Sequence, residues 1–591
     1  MSVLRRRIEA ARFEDQPVLG AVRCAQGVLV AFSKEVAKEP LYGLERIETG
    51  RGCLAFVPDG TVNKVAEAEL DLFFARRVMV ALRNGETAEA AADWVRYHSV
   101  RFQVDGALIF NRTKPGSDEF ADNLKGLLSE ADVTVVVVDA DTPVGRKGAP
   151  DARNPSLAPA VSANVRGTPA NPWHAPLGEL TVYELLRHRF LASAQSVALL
   201  DVSDFLMPQA ASAFDLAEQN PGHAISLVGT ETYPWRLRRG HAAPFADHIA
   251  KRRAEARRLL SWSASPSTLP EACIWQPGRP LAVPASKQKA MFSRAMGVMF
   301  PGAPVESIVK KADLVEDQAL VALSKSLGHA PVRLPAAAVI PSRPQNGKVT
   351  IVSVMKNEGP FILDWIAHNR AIGVDRFLIY SNDCADGTDR MLTLLAEAGV
   401  THRDNPYRTT GQVPQYAAFR AAEREEVVTS ADWLLTLDVD EYINVHVGDG
   451  RLRDLFDVVP EAHLISMPWR LFGGAGVHSF EDVPVTHQFT KAAPAFMPRP
   501  YQAWAFKTLY RNAGLFRRLG VHRPKGLQPA FRDSILWVTG SGKPLPSETW
   551  RSAWRVGMAN WGYDLVTLNH YAVRSAESFL IKRDRGRVNH V

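Results

Sequence analysis

The sequence contains two similar halves, and this internal repeat constrains the fold more than any other feature. The segment DWVRYHSVRFQVDGALIF at Asp93–Phe110 resembles DWIAHNRAIGVDRFLIY at Asp364–Tyr380. Further pairs occur in matching order along the two halves: VALRNGE with VSVMKNE, LLDVSDFLMP with TLDVDEYINV, YPWRL with MPWRL, and VESIVKK with AESFLIK. One such pair could arise by chance, but a set in matching order indicates a duplication. We therefore predict two copies of one domain.

Each copy is predicted to be an α/β domain, because strands and helices alternate along the second half. A strand at Val349–Met355 precedes a helical pattern around Phe361–Ala371. The strand RFLIYS then precedes the helical pattern DRMLTLLAEAG, which ends at Gly399, and the apolar run WLLTLDV predicts a further strand. Such alternation is typical of a mixed, mostly parallel sheet with helices on both faces, which binds ligands at the carboxyl ends of its strands.

Two proline-rich stretches divide the chain. One, near residues 143–176, is incompatible with a helix or a central strand and accounts for the extra length of the first copy. The other, at 331–348, has the composition of a linker. We therefore predict the following parts: an N-terminal extension of the first domain at 1–70, the first domain at 71–330, the linker at 331–348 and the second domain at 349–591.

The composition is that of a globular protein, with 46% hydrophobic and 23% charged residues. The net charge is +7, but no basic block is interleaved with aromatic residues, which argues against nucleic-acid binding. The longest aliphatic run, VTVVVV, is too short to cross a bilayer, and the first residues lack the apolar core of a signal peptide. The four cysteines show no C-x-x-C spacing. We expect a cytoplasmic protein without a transmembrane segment, for which peripheral membrane contact stays open.

The run LLTLDVDEYINV places three carboxylates at the end of a predicted buried strand. Asp438, Asp440 and Glu441 repel one another, and their desolvation is costly unless a cation compensates. Two carboxylates spaced by one residue can share a divalent cation with the oxygens of a diphosphate. We therefore predict that these three acids are catalytic, with a solvated turn as the alternative.

Other polar residues are expected at the same edge of the sheet. Asn357 and Glu358 follow the first strand of the second copy, and Asn382 and Asp383 follow its second strand. We predict that these four residues bind the cofactor. His570 follows a strand-like segment near the C-terminus, where it could complete a metal or diphosphate site. A basic stretch comes after it: Lys582, Arg583, Arg585 and Arg587.

In combination, these segments resemble the family 2 glycosyltransferases of the GT-A fold over residues 349–591. They are more similar to a branch with a KNE…W…H…G opening and an NHY…KS close. The resemblance implies a Rossmann-like, nucleotide-diphospho-sugar transferase fold. It also implies a nucleotide-diphosphate sugar as donor, and Mn²⁺ or Mg²⁺ held by Asp438 and Asp440 and completed by His570. Transfer would go to a glycan, a lipid-linked molecule or another hydroxyl acceptor, with inversion.

Some positions depart from that family or have a plainer explanation. The usual DDGSTDGT is SNDCADGT here, so Ser381 and Asn382 replace an acidic pair and the donor's base stays open. Asp386 could favour an anion or simply cap a helix. Asp482 is a candidate catalytic residue, although a surface loop also explains it. Three further residues are candidates for binding the diphosphate or acceptor: Lys507, His522 and Lys525. The segment GVHRPK, which contains the last two, could equally be a solvated turn.

The first copy is predicted to be a degenerate GT-A-like domain. Its motif at Asp201–Asp204 has Ser203 in the place of Asp440, and alignment of the tails puts Met299 opposite His570. The DGT turn is replaced by KPGSD. Three losses at one site predict a domain that kept the fold and lost the metal.

Two functions other than a glycosyltransferase agree less well with the sequence. A non-catalytic carbohydrate-binding or scaffold protein made of two inactive domains is opposed by the intact Asp438, Asp440 and His570 of the second copy. A nucleotidyltransferase would carry a glycine-rich loop with Lys or Arg after its first strand, and MKNEGPFILDW is not such a loop.

Overall fold

The protein, described here by a computed structural model, folds into two compact units, Met1–Leu334 and Pro335–Val591. The boundary lies within the stretch predicted as a linker. The structure describes these residues: 3–32, 46–49, 52–158, 168–237, 243–253, 259–344, 347–495, 497, 499, 504–547, 549–551, 554–555, 557, 560 and 562–584. Arg585 and Arg587 of the basic tail, and residues 159–167 of the proline-rich stretch, lie outside them.

The first unit is a mixed α/β structure. Its described elements are β1 (Val3–Ile8), β2 (Ala11–Phe13), β3 (Gln16–Val18), β4 (Gly20–Cys24), β5 (Gly27–Phe32), β6 (Arg46–Thr49), β7 (Gly52–Val57), β8 (Arg77–Arg83), α1 (Ala88–Phe102), β9 (Gly106–Asn111), α2 (Phe120–Leu127), β10 (Thr134–Ala140), α3 (Val182–Leu186), β11 (Ser196–Leu199), β12 (Asp204–Leu206), α4 (Ala213–Gln219), β13 (Ala224–Thr232), β14 (Ala250–Arg252), β15 (Leu259–Ala264), β16 (Ala285–Ala295), α5 (Met296–Met299), α6 (Val305–Ile308), β17 (Leu314–Glu316) and α7 (Gln318–Ser326).

The second unit is also mixed α/β. Its described elements are β18 (Val349–Met355), α8 (Gly359–Ala371), β19 (Arg376–Ser381), α9 (Thr388–Leu394), β20 (Val400–Asp404), α10 (Tyr407–Thr410), α11 (Pro414–Ala422), α12 (Glu426–Thr429), β21 (Trp433–Thr436), β22 (Glu441–Val445), α13 (Leu452–Val458), β23 (Leu464–Leu471), α14 (Val485–Gln488), β24 (Phe506–Arg511), β25 (Phe516–Arg518), β26 (Lys525–Leu527), β27 (Trp537–Val538), β28 (Val566–His570) and α15 (Ala576–Asp584).

Each unit is built on a nine-stranded sheet, and the two sheets share one strand order. The order β10-β9-β8-β11-β15-β13-β16-β12 in the first corresponds to β20-β19-β18-β21-β24-β23-β28-β22 in the second. Every corresponding pair of neighbours runs in the same relative direction, parallel or antiparallel. This correspondence supports the predicted duplication, whereas the assignment of both units as tandem GT-A-like domains stays a prediction.

The parallel strands at the centre of each sheet are buried on both faces. In β8, Val78 and Val80 belong to the core on one face, whereas Met79 and Ala81 belong to the core on the other face. Continuous apolar sequence is what a parallel strand covered on both sides requires, because successive side chains point to opposite faces. In β19 of the second unit, Phe377 and Ile379 belong to one core and Leu378 and Tyr380 to the other.

A tryptophan on the first long helix of each unit donates a hydrogen bond to the first residue of a later strand, β12 or β22. The indole of Trp94, on α1, donates to the backbone oxygen of Asp204 at 2.8 Å. The indole of Trp365, on α8, donates to the backbone oxygen of Glu441 at 2.9 Å. The two tryptophans belong to the repeated DW segment, so the repeat preserves a specific buried hydrogen bond as well as a pattern.

One predicted boundary differs from the structure. The strand predicted for WLLTLDV ends at Thr436, because the following acids form a turn that leads directly into β22. The division of the chain into an extension and a first domain stays a prediction. In the structure β1 joins the main sheet beside β10, whereas β4, β5, β7 and β6 form a separate antiparallel sheet. None of the helices in the described ranges is long and apolar enough to span a membrane. The cytoplasmic location stays a prediction.

A buried carboxyl in the first unit predicts a pH-dependent stability. Burial raises the pKa of Glu86 from its ordinary value of 4.5 to about 7, although the Asn84 N–H opposes the shift. Between these values the folded protein keeps a proton that the unfolded chain releases. The free energy of unfolding should therefore fall as pH rises from 4.5 to about 7, by about 3 kcal/mol from this group.

The variant Glu86→Gln should lack this part of the pH dependence, because an amide does not titrate. Urea unfolding of both proteins at pH 5 and pH 8 measures it. Glu130→Gln, at an exposed position, is the matched control and should behave like the unmodified protein. Parallel stability profiles for Glu86→Gln and the unmodified protein would show that Glu86 titrates normally.

Candidate active site

The three predicted acids lie in the short turn that joins β21 to β22 at the edge of the parallel strands. The Glu441 N–H donates to the backbone oxygen of Asp438 at 3.0 Å, and the Asp438 N–H donates to Oε2 of Glu441 at 2.9 Å. Because β22 pairs with β28, Glu441 lies directly opposite His570. The turn is thus closed by its own backbone and by one of its own carboxylates.

A buried lysine on the neighbouring strand β24 lies between two of the acids. Nζ of Lys507 is 3.0 Å from Oδ2 of Asp438 and 3.3 Å from Oε2 of Glu441, and the lysine is only 1% exposed. Burial would lower the pKa of Lys507, but the two carboxylates outweigh it and the pKa is raised. Burial also raises the pKa of Glu441 to about 7, although Lys507 opposes that shift. Trp469 Nε1 donates to the other Glu441 oxygen at 2.8 Å.

Asp440 points to a different set of groups, contributed by the C-terminal segment. Its Oδ2 accepts a hydrogen bond from Nζ of Lys582, on α15, and lies 3.6 Å from Nε2 of His570. Burial would raise the pKa of Asp440, but Lys582 and His570 outweigh it and hold the pKa well below its usual range. The other ring nitrogen of His570, Nδ1, is buried and has no hydrogen-bond partner among the described residues.

A buried arginine joins the end of β18 to the acid turn. Arg574 donates from Nη1 to Oε2 of Glu358 at 3.2 Å and from Nη2 to the backbone oxygen of Val439 at 3.0 Å. Its guanidinium carbon lies 3.6 Å from the ring centroid of Phe361. Sequence reasoning did not select Arg574, although it occupies the basic position of the closing segment NHYAVRS, and that position was the available signal.

Asn382 and Asp383 lie at the end of β19. The Asn382 amide donates to Oδ2 of Asp383 at 3.5 Å. Asp383 also accepts from the hydroxyl of Tyr407 at 2.6 Å and from Nη2 of Arg408 at 2.7 Å. These hydrogen bonds, that of Tyr407 first, lower the pKa of Asp383 to about 2. The carboxylate is therefore charged and already engaged by a local pair of residues.

The loops after β18 and β19 are tied together. Oδ1 of Asn357 accepts from the Ala385 N–H at 2.7 Å. The carboxylate of Asp386 accepts from the N–H groups of Gly359 at 3.1 Å and Thr388 at 3.0 Å. Asp386 therefore stabilises the local backbone, as the capping alternative states, whereas Asn357 and Glu358 reach the same sheet edge as the acids.

Of the remaining predicted residues, His522 lies near the acids, whereas Lys525 and Asp482 have no described contact with them. His522 lies close enough to Lys507 for the ammonium to act on it: burial first and Lys507 second lower the pKa of His522 to about 4. Nζ of Lys525 instead lies 5.2 Å from the ring centroid of Tyr416. Asp482 is exposed, and within the described ranges no hydrogen bond or ion pair joins it to the acid turn. The roles proposed for these residues stay predictions.

The predicted metal ligands are only partly assembled. In the part of the chain that the structure describes, no group of three or more His, Cys, Asp or Glu side chains is arranged to hold a metal ion. Asp440 and His570 suit a divalent cation as a pair, because Oδ2 of the carboxylate and Nε2 of the ring lie 3.6 Å apart. A lysine holds one oxygen of each aspartate: Lys507 contacts Oδ2 of Asp438, and Lys582 contacts Oδ2 of Asp440. Among the described residues, only Asp440 also has a histidine nitrogen beside that oxygen. The divalent cation stays a prediction.

Comparison with known proteins points to one class of enzyme. No protein-family model matches the chain. The chain is similar to glycosyltransferase family 92 proteins from Oryza sativa subsp. japonica, at 23% identity over 30% of this chain and 31% of the relative, and from Ricinus communis, at 25% over 17% and 18%. A third, from Arabidopsis thaliana, is 28% identical over 16% of each chain. These relatives support a glycosyltransferase. The chain matches less than a third of the length of each.

The comparisons do not single out family 2, which the sequence resembles, because the curated relatives carry the name of family 92. One solved structure, a mannosyl-3-phosphoglycerate synthase from Rubrobacter xylanophilus, is similar at 19% identity over 28% of this chain and 53% of that chain. The TM-score of 0.17 is too low to support a shared fold.

The Lys507 ion pairs predict a specific stability loss. Lys507→Met should lower the free energy of unfolding by about 3–5 kcal/mol, because it leaves Glu441 and Asp438 without their buried cation. Adding Glu441→Gln should recover part of the loss, because it removes one of the two charges. Chemical denaturation at pH 8 measures both variants. Lys525→Met, at an exposed position, should change stability by less than about 0.5 kcal/mol. A single Lys507→Met variant as stable as the unmodified protein would contradict this arrangement.

Proposed function

We propose that the second unit, 335–591, is a metal-dependent glycosyltransferase that moves a sugar from a nucleotide-diphosphate sugar to a hydroxyl group of a glycan or lipid-linked acceptor, with inversion. The observation that carries this proposal is the convergence of Asp438, Asp440, His570 and two lysines at the carboxyl edge of a parallel sheet. Ligands of open α/β sheets bind at this edge. The family 92 relatives support the same class of reaction.

The chain's own residues divide the work as follows. Asp440 and His570 would hold Mn²⁺ or Mg²⁺, and that cation would supply positive charge beside the leaving nucleoside diphosphate. Glu441 is fully buried and bonded at both oxygens, so it positions the turn and does not meet substrate. Asp438, whose side chain is 42% exposed, is accessible to solvent.

Lys582 is the group that we propose binds the donor's diphosphate. Its side chain is 36% exposed, and it reaches Asp440 from α15, close to the end of the described chain. An ammonium on a flexible stem can turn from a carboxylate to a phosphate oxygen without rearrangement of the sheet. Asn382 and Asp383, at the end of β19, are proposed to face the nucleoside, and Asn357 and Glu358 to line the floor between them and the acid turn.

The reaction also needs a general base for the acceptor hydroxyl. Asp482 is our candidate, because it is an exposed carboxylate that no described ion pair engages. Asp482→Asn should then lower the rate of transfer to an acceptor while leaving donor binding unchanged. Equal transfer rates for Asp482→Asn and the unmodified protein would remove Asp482 from the mechanism.

A second candidate function is a carbohydrate-binding or scaffold protein without turnover. The observation that favours it is that Lys507 and Lys582 neutralise the acid turn within the chain itself. This candidate predicts that sugar nucleotides are neither hydrolysed nor transferred, with or without Mn²⁺.

Donor binding and hydrolysis distinguish the two functions. We expect nucleoside diphosphates to raise the unfolding temperature of the protein more with Mn²⁺ than without it. We also expect slow hydrolysis of one sugar nucleotide in a donor screen, reduced about 100-fold or more in Asp440→Asn. Asp564→Asn, an exposed position ahead of β28, is the control and should retain activity. The absence of both nucleotide binding and hydrolysis with every donor would leave the scaffold function.

Lys582 has a matched control on its own helix. Lys582→Ala should weaken nucleoside diphosphate binding about 10-fold, because one charge-assisted contact to a phosphate is lost. Arg583→Ala removes the adjacent exposed charge and should change binding little. Isothermal titration with a nucleoside diphosphate and Mn²⁺ measures both. Equal affinities in the two variants would show that Lys582 does not contact the diphosphate.

A further inference from the structure

The first unit contains a counterpart of the acid turn. Asp201 follows β11 and Asp204 begins β12, as Asp438 follows β21 and Glu441 begins β22. In both turns the first acid donates its backbone N–H to the carboxylate of the last one. The distance from nitrogen to oxygen is 3.1 Å in the first unit and 2.9 Å in the second. The two turns are therefore equivalent residue by residue.

The sheet register identifies which residue replaces His570. His570, on β28, lies opposite Glu441, and Arg294, on β16, lies opposite Asp204 in the same way. The alignment of the tails, which puts Met299 in this place, is therefore wrong. Met299 lies beyond the end of β16, in α5. The first copy carries extra residues between β16 and α6, and these residues shift the alignment of the tails.

Arg294 binds both carboxylates of the turn. Its Nε and Nη2 each lie 2.6 Å from an oxygen of Asp204, and Nη2 also lies 2.7 Å from Oδ2 of Asp201. The side chains of Arg294 and Asp204 are 17% and 1% exposed. Burial would lower the pKa of Arg294, but the carboxylates, Asp204 first, outweigh it and raise the pKa. A fork-shaped guanidinium held in this way is a fixed positive charge.

The other groups of the second unit's site are missing from the first. Ser203 stands where Asp440 does, and its hydroxyl is buried without a hydrogen-bond partner among the described residues. Ser261 stands where Lys507 does, since each lies opposite the equivalent residue of the next strand, Leu227 or Met467. Arg294 thus supplies from β16 the compensating charge that lysines supply in the second unit.

The strand end beside this turn is also covered by the chain. Arg112 stands at the end of β9 where Asn382 stands at the end of β19. It is 5% exposed and donates to Oδ1 of Asn84 and to the backbone oxygen of Ala175. Ala175 belongs to the proline-rich stretch, which therefore lies against the strand end that faces the nucleoside in our proposal for the second unit.

We propose that Arg294 is a permanent cation, carried by the chain, that takes the place of a metal ion in the first unit. The first unit then binds neither a divalent cation nor a nucleoside diphosphate, and each chain has one donor site, in the second unit. The number of donor sites per chain rests on the function proposed for the second unit. The replacement of a metal ion by Arg294 in the first unit does not rest on it.

The first test removes the metal pair and the diphosphate contact of the second unit with Asp440→Asn, His570→Ala and Lys582→Ala in the full-length protein. Mn²⁺ is titrated with detection of free Mn²⁺ by electron paramagnetic resonance, and UDP and GDP are tested by thermal shift. We expect no bound Mn²⁺ and no shift of the unfolding temperature. One Mn²⁺ or one nucleotide bound per chain would overturn the proposal.

The second test converts the first unit in that same background. Ser203→Asp with Arg294→His recreates the residues of the second unit and should add one Mn²⁺ per chain, together with a higher unfolding temperature in Mn²⁺. Arg294→Lys keeps a cation and should add none. A folded double variant that gains no Mn²⁺, or a gain in Arg294→Lys, would overturn the proposal.

A third variant covers the case in which the double variant does not fold. Arg294→Met should lower the unfolding temperature by about 10 °C, because the buried Asp204 and the partly exposed Asp201 lose their partner. An unchanged unfolding temperature would overturn the proposal.

If the unmodified protein binds no Mn²⁺, the function proposed for the second unit fails. The gain of one bound Mn²⁺ per chain in the converted first unit still tests Arg294.

Discussion

Carboxylates crowded into one turn repel one another, and the site of the second unit depends on the cations that lie among them. Lys507 is buried between Asp438 and Glu441, and Lys582 contacts Asp440. The turn can enter the core because its backbone and Glu441 close it before any ligand arrives. The turn is therefore preorganised, because buried Glu441 and Lys507 fix its shape without meeting a ligand.

Much of this edge could be predicted from sequence because the signals are local. Each strand lies within a few residues of the groups that it positions. This holds for the strand before Asp438, for β18 and β19 with their polar ends, and for the strand that ends at His570. The structure confirms a mixed α/β fold with large parallel sheets. It joins Asn357, Glu358 and the acids at one edge, as alternation of strands and helices predicts.

What could not be predicted depends on pairing between distant strands. Lys507 lies 69 residues from Asp438, and Lys582 lies 142 residues from Asp440. The contact of Lys507 follows from the antiparallel pairing of β24 with β21, and that of Lys582 from the packing of α15. Short sequence patterns do not encode either one when several elements intervene. The same limit misplaced the residue equivalent to His570: a few extra residues after β16 shift the tail alignment, but the ladder between β12 and β16 pairs Arg294 with Asp204.

The two units therefore present one backbone arrangement with two ways of compensating the same charges. In the first, the cation is Arg294 on β16, beside the edge strand β12; it holds both carboxylates and is 17% exposed. In the second, the more exposed cation is Lys582 on α15, 36% exposed and bonded to one carboxylate. The guanidinium of Arg294, bound through Nε and Nη2, cannot leave without buried Asp204 and partly exposed Asp201 losing their partner. An ammonium at a helix end can instead be displaced by another cation or by a phosphate. On our proposals, the position of the cation in the fold is what separates a closed copy from one that can exchange ligands.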